Sequence, residues 1–223
     1  GLEYNQELVE KAKQQYGDSR FSFYQMDVEK GLLSGNLHNL PGRAGRCKFD
    51  LICLSYVLMH LQEGEKLLRH LRRFLKKDGV IFIIESNDSS SCLLPDEKGL
   101  LGAFLDILRQ DKYAGKRETG ARLFGWLTNC GYDHIQVWCD GISAGKEEDE
   151  RKKEIFQTFF SYLPEDVKIL LSEEPDNRKY QLWQEWLEQN YEDLRQLILQ
   201  KNSEITMGMQ IISCKRALRR KNV

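Results

Sequence analysis

Four short stretches hold the side chains best suited to chemistry: Glu3 to Asn5, Met26 to Val28, Ser55 to His60, and Glu85 to Asp88. Each closes a run that reads as a β-strand. In an open parallel sheet, ligands bind beyond the carboxyl ends of the strands, so a ligand is expected at these tips. A carboxylate at such a tip can hold a ribose, because a vicinal diol offers two donors to its two oxygens. His60 adds a group that titrates near neutrality. Glu85, with Asn87 and Asp88 just after it, can orient a nucleophile or accept its proton. Every one of these residues also has a plainer role. Acidic residues at strand-to-helix turns cap helices, a histidine after an apolar run packs or caps, and a Ser-Asn-Asp-Ser cluster forms a turn.

The elements that must position these groups follow from periodicity. Leu8, Val9 and Ala12 share one face of a helix over Glu7–Tyr16, with Gly17 as its stop. "FSFYQMDV" reads as a strand ending near Asp27, and the Gly-, Asn- and Arg-containing stretch Gly31–Arg46 as a loop. "FDLICL" is nearly continuous apolar sequence, the pattern of a strand buried on both faces. The spacing of Leu67, Leu68, Leu71, Phe74 and Leu75 predicts a helix capped by Gly79, leading into the strand "VIFIIESND". A helix around Lys98–Gln110, a loop over Asp111–Gly120, a helix "ARLFGWLTNCG" and a strand "HIQVWCD" continue the alternation. This β-α-β-α-β order is that of a parallel sheet covered by helices. From Lys146 to Asn202 only helical patterns appear, and "TMGMQIISCKR" supplies a last strand before a basic tail. Residues 1–145 therefore read as a core, 146–202 as a helical insertion, and 203–223 as the final core strand with its tail.

Composition excludes little but agrees with this. The 223 residues are 41% hydrophobic and 30% charged, enough for one sizeable core. With 33 basic and 34 acidic residues the formal net charge is -1, so no chain-wide field favours nucleic acid or an anionic membrane. The basic face Lys66, Arg69, Arg72, Arg73, Lys76 and Lys77 reads as the solvated side of an amphipathic helix. The six cysteines are scattered with no CxxC or Cys/His cluster, which suits a reducing cytoplasm. No apolar run is long enough for a membrane span. HExxH, GxSxG and P-loop patterns are absent, so no metal site is expected and hydrolytic chemistry loses support.

In the order and spacing of these pieces the sequence resembles the class I S-adenosylmethionine-dependent methyltransferases. The resemblance covers most of residues 1–140 and again 205–216. It rests on "GLEYNQELVEKAK" as the family's second strand and helix, "FYQMDV" as its third strand, and "FDLICLSYVLMHL" as the fourth strand and turn. "LLRHLRRFLKKDGVIFIIES" and "LTNCGYDHIQVW" complete it. It implies a Rossmann-like α/β fold: a mainly parallel twisted sheet, an antiparallel C-terminal strand and a helical insertion before that strand. It also implies S-adenosylmethionine as cofactor and methyl transfer to an O, N or S atom of a small-molecule acceptor. By this likeness Glu3, with Tyr4 beside it, is the ribose-binding acid, and Asp27 the acid that meets the adenine amino group, flanked by Met26 and Val28. Ser55, Tyr56 and His60 match the turn that meets the methionine moiety and the reaction centre, and Glu85 lies on the acceptor side. His60 and Glu85 are thereby the candidate catalytic residues. Many relatives read Glu-His where this chain has Met59-His60, which removes a carboxylate.

In the family a first strand and a GxGxG turn come just before the segment that starts here. The resemblance thus implies that the sequence is a fragment. A dehydrogenase would share the sheet and the ribose acid, but "FYQMDV" and the last strand fit a methyltransferase better. A non-catalytic scaffold that holds a partner, and a protein or RNA methyltransferase, stay open as alternatives. The aromatics of the insertion, Phe159 and Trp183 among them, are expected to wall the acceptor pocket near Ser55 and Glu85, or else to form a homodimer interface or lateral brace.

Overall fold

The computed structural model describes residues 1–18, 20–33 and 48–217. Most of the loop expected over 31–46 and the basic tail from 218 on lie outside these residues. Leu2–Glu3 (β1) leads through Asn5 into the helix Gln6–Tyr16 (α1), and Tyr24–Gln25 (β2) leads into Val28–Leu33 (α2). Asn5 caps α1 with its side chain, accepting from the Glu7 and Leu8 amides at 2.8 and 3.4 Å. The strand β1 pairs in parallel with β2 as a separate two-stranded sheet.

The larger sheet is built from Phe49–Ser55 (β3), Leu75–Ser86 (β4), Cys92–Leu94 (β5), Tyr132–Ala144 (β6) and Glu204–Arg216 (β7). The strands β3 and β4 run parallel. The last strand, β7, is antiparallel to β4 and β5 along one edge and to β6 along the other. It is therefore the one strand of this sheet that runs against the rest, an arrangement of the Rossmann-like kind with a reversed C-terminal strand. The short strand β5 was not anticipated. It continues the line of β4, taking over the edge of β7 at Glu204–Thr206.

Two expectations need correction. The helix after the 55–60 turn is Gly64–Leu71 (α3), and β4 already begins at Leu75, so Gly79 lies inside a strand and caps no helix. Its role is close approach: a Cβ there would meet the Phe49 carbonyl oxygen at 2.7 Å, beside the register shift between Phe49 and Leu51. Lys76 accordingly leaves the supposed basic helix face and pairs with Asp50 of β3. The second correction concerns β3, which is not buried on both faces. Leu51 is 54% exposed, and only Ile52 and Leu54 pack inward. Among the described residues β3 pairs with β4 alone, so half of its apolar pattern meets no neighbour.

The remaining helices are Leu100–Leu108 (α4), Thr119–Asn129 (α5), Asp149–Phe159 (α6), Leu163–Glu173 (α7) and Arg178–Leu199 (α8). Two cores result. One face of the large sheet, with Ile81, Ile83 and Ile212, packs against Leu67, Leu68 and Leu71 of α3 and Leu123 and Leu127 of α5. The second core gathers Phe104 and Leu108 of α4, Ile155 of α6, Val167 and Leu170 of α7, and Leu194 and Ile198 of α8. The insertion thus shares its core with α4 and β5 from earlier in the chain. Among the described residues no helix is long and apolar enough to cross a membrane.

Candidate functional site

The carboxyl ends of β3 and β4 open into a cavity of about 270 Å³. Its walls are Tyr56, Met59 and His60 from the turn after β3, Ser86 from the end of β4, and Tyr113, Ala114 and Arg117 from the connection between α4 and α5. Thr158, Phe159 and Tyr162 of the insertion, with Met207 and Gly208 of β7, close the far side. Parallel β3 and β4 bring Ser55 opposite Ile84, so the turn at Tyr56 and the end of β4 meet at one place.

Tyr56 carries the sharpest local constraint. Its φ of 51° lies in the left-handed region, unusual for a bulky side chain, while its amide donates to the Ile84 carbonyl at 2.8 Å. This twist ends β3 and leads into a 3-10 turn, Leu58–His60. Gly115 allows the next layer to settle on that turn. Its φ is +79°, and a Cβ there would stand 3.0 Å from Nδ1 of His60. The Lys116 amide then donates to the Met59 carbonyl at 2.7 Å, fixing the 113–117 segment over the turn.

Alternation along β4 decides where Glu85 goes. It shares a face with Ile81 and Ile83, so its carboxylate points into the core between the sheet and α3. There Oε1 accepts from the Leu58 amide at 2.7 Å, while Oε2 has no partner. Burial pushes its pKa up to about 7, against the pull of the Leu58, Met59 and Val57 amides. Glu85 is therefore absent from the cavity wall. The structure places Glu85, expected on the acceptor side, behind the wall, where it accepts from the turn that presents His60.

His60 does line the cavity. Burial, and secondarily the Arg117 charge, lowers its pKa, so the ring is neutral at neutral pH. Burial raises the Tyr56 phenol, with the Glu85 charge adding to it and Arg117 opposing. Ser55, by contrast, ends exposed on β3 and is not part of the wall.

The Arg117 guanidinium was missed by sequence reasoning, which treated residues 111–120 as loop. Its Nε approaches both Asp88 oxygens at 3.1 and 2.8 Å and its Nη2 lies 2.6 Å from Oδ1, with both side chains almost wholly buried. Partners so far apart in the chain leave no local pattern. Asp88 itself was singled out, but as part of a turn. Of the insertion aromatics, Phe159 lines the cavity and Trp183 does not. Trp183 is buried in the second core beside Tyr180, ring centroids 5.3 Å apart. The effect expected of Trp183 on an acceptor therefore passes to Phe159 and Tyr162.

No residue of the N-terminal unit lines this cavity. Glu3 stands at the carboxyl tip of β1 with Oε1 accepting from the Asn5 amide at 2.8 Å. Tyr4 is 72% exposed. Asp27 caps α2, accepting from the Lys30 amide at 2.9 Å through Oδ1, and its Oδ2 pairs with the Lys30 ammonium at 3.3 Å. The Lys30 amide is the largest influence holding its pKa low. The cap is thus the role the structure displays for Asp27. Met26 packs under Gly31, and Val28 packs against the first core. Among the described residues no group of three or more His, Cys, Asp or Glu could hold a metal ion.

Comparison with known proteins agrees with this architecture. Residues 1–83 match a family model described as a methyltransferase domain. A demethylmenaquinone methyltransferase of Lactobacillus johnsonii is 24% identical over 157 residues, which cover 65% of this chain and 62% of that relative's length. Among solved structures, the YcgJ protein of Bacillus subtilis superposes with a TM-score of 0.51 at 18% identity, covering 98% of this chain and 82% of that one. A putative methyltransferase of Bacillus halodurans gives 0.50 at 12% identity, covering 97% and 82%. The N-terminal 83 residues are thus similar to a methyltransferase domain, and the chain shares the fold of these two solved structures.

Proposed function

We propose that the protein transfers a methyl group from S-adenosylmethionine to an O, N or S atom of a small molecule seated in the Tyr56–Tyr162 cavity. The observation that carries this reading is the cavity at the carboxyl ends of β3 and β4 in a chain whose first 83 residues match a methyltransferase domain. Its size suits a compact organic acceptor better than a polymer.

The residues present fit the nucleoside half of that cofactor in part. Among the described residues Oε2 of Glu3 has no partner at its strand tip, so it can accept from ribose hydroxyls. Asp27 is engaged by Lys30 and would have to exchange that partner to reach a base. Bound there, the cofactor supplies an activated methyl carbon on a sulfonium. The chain's own task is then to align an acceptor and keep water away. Tyr56, Phe159 and Tyr162 provide the walls, and neutral His60 is able to take a proton from an acceptor hydroxyl or amine.

The test is titration calorimetry of the full-length protein with S-adenosylhomocysteine. Binding is expected, and Glu3→Ala should weaken it about tenfold, the worth of a charge-assisted hydrogen bond pair. Absence of heat and of any thermal shift at millimolar ligand would remove the reading.

A further inference from the structure

The pairing of Arg117 leaves an unused edge. A guanidinium carries five N–H donors in a planar fork. Asp88 takes the edge formed by Nε and Nη2. Among the described residues Nη1 has no hydrogen-bond partner, and Arg117 is one of the residues that line the cavity. The second edge, Nη1 with the remaining hydrogen of Nη2, has the geometry that receives a carboxylate through two parallel hydrogen bonds.

The surroundings favour that use. The side chain is 93% buried (7% exposed), and Asp88 holds its plane fixed, so little freedom is lost when a second anion docks. The residues lining the cavity include no Asp or Glu, and their one cation is Arg117. An ammonium-bearing ligand would find no counter-charge there and would meet the Arg117 field. Met59, Ala114, Phe159, Met207 and the rings of Tyr56 and Tyr162 make much of the wall apolar or aromatic, and His60, Ser86, Tyr113 and Thr158 add neutral polar groups.

We infer that Arg117 is the specificity-determining residue of the cavity and that the methyl acceptor is a compact, largely apolar molecule bearing a carboxylate, which docks on the free guanidinium edge. This rests on the methyl-transfer reading for the word acceptor, but not for the carboxylate site. The cofactor's own amino-acid carboxylate is the rival source of the same chemistry. Arg117 shares the cavity with Thr158, Phe159 and Tyr162 of the insertion as well as with the turn after β3, so the two sources are separated by experiment.

The experiment uses phenylacetate as the probe, with phenylacetamide and phenethylamine as neutral and cationic counterparts, each with and without S-adenosylhomocysteine. Wild type should bind phenylacetate about tenfold or more tightly than either counterpart. Arg117→Lys keeps a cation for Asp88 but loses the fork. It should bring that ratio close to one while leaving S-adenosylhomocysteine affinity within about twofold. Equal binding of all three probes by wild type, or no phenylacetate binding at roughly 10 mM, overturns the inference. So does an Arg117→Lys variant that loses S-adenosylhomocysteine and not the phenylacetate preference, since the carboxylate recognised is then the cofactor's. The wild-type ratio stands as evidence even if the variant fails to fold. A preserved ratio with no S-adenosylhomocysteine binding would uphold the carboxylate site and refute the methyl-transfer reading.

Discussion

The N-terminal unit and the helical lobe around α6 to α8 are opposites in how they are held. In residues 1–33 both residues of β1 are exposed, and among the described residues Val9 is the one fully buried apolar side chain. In the lobe, Phe160, Leu163, Val167, Leu170, Leu194 and Ile198 are all sealed from solvent. The difference is physical before it is functional. A two-stranded sheet with one helix on it has little apolar area to remove from water, whereas three helices closing on α4 and β7 bury a contiguous core. The side chains proposed for the cofactor therefore stand on a thinly packed support, and those proposed for the acceptor stand on a rigid one.

The comparison breaks most decisively at Phe160. Its ring lies 4.8 Å from that of Phe104 and stacks on Phe156 at 5.7 Å, tying the insertion to α4. Phe160→Ala should cost about 3–5 kcal/mol in chemical denaturation. The matching truncation in the thin unit, Val9→Ala, should cost less than half as much. Equal losses would show that the two regions are held alike.

A second test concerns the buried carboxylate behind the turn that borders the cavity. The folded pKa of Glu85 is raised from 4.5 to about 7, so the folded state holds a proton that the unfolded chain releases. The stability this gives is full below pH 4.5 and is lost as pH rises toward 7, a change of up to roughly 3 kcal/mol. Asp166, raised to about 6 by burial and by the neighbouring Asp111 charge, adds a slope of the same sign at the other end of the lobe. Urea unfolding of wild type at pH 4.5 and 7.5 should show the decline, and Glu85→Gln should flatten part of it. An unchanged slope in that variant would mean that Glu85 is ionised in the folded protein at neutral pH.

The alternation of strands and helices was legible because apolar runs separated by amphipathic helices admit few topologies, while the reversal of β7 was implied by the family resemblance. The turn after β3 was equally legible, since Tyr56 and His60 follow directly from the end of a strand. What the sequence hid was contact across distance. The Asp88–Arg117 pair joins two segments that each look like loop. The fate of Glu85 turned on parity within β4, and β4 starts four residues before Gly79, where a helix end was expected. Trp183 misled for a related reason: an aromatic stripe at helical spacing states that a face is buried, not against what.

The smallest effect expected is at Asn5, and it probes the thin unit directly. Its side chain caps α1, and its own amide donates to Glu3 at the tip of β1, so one residue links the helix start to the proposed ribose acid. Asn5→Ala removes the cap but leaves the amide, at a cost of about 1 kcal/mol. Because α1 buries little, that loss should appear as local opening and not as a lower unfolding midpoint. Hydrogen exchange of the amides from Leu8 to Lys11 should speed up roughly fivefold, while those of Leu67 and Leu68 in α3 stay unchanged. Asn5→Asp, which keeps an acceptor at the cap, should restore the wild-type rates. A global drop in midpoint with uniform exchange would show instead that the N-terminal unit and the large sheet unfold as one, and that the contrast between thin and rigid supports does not extend to their dynamics.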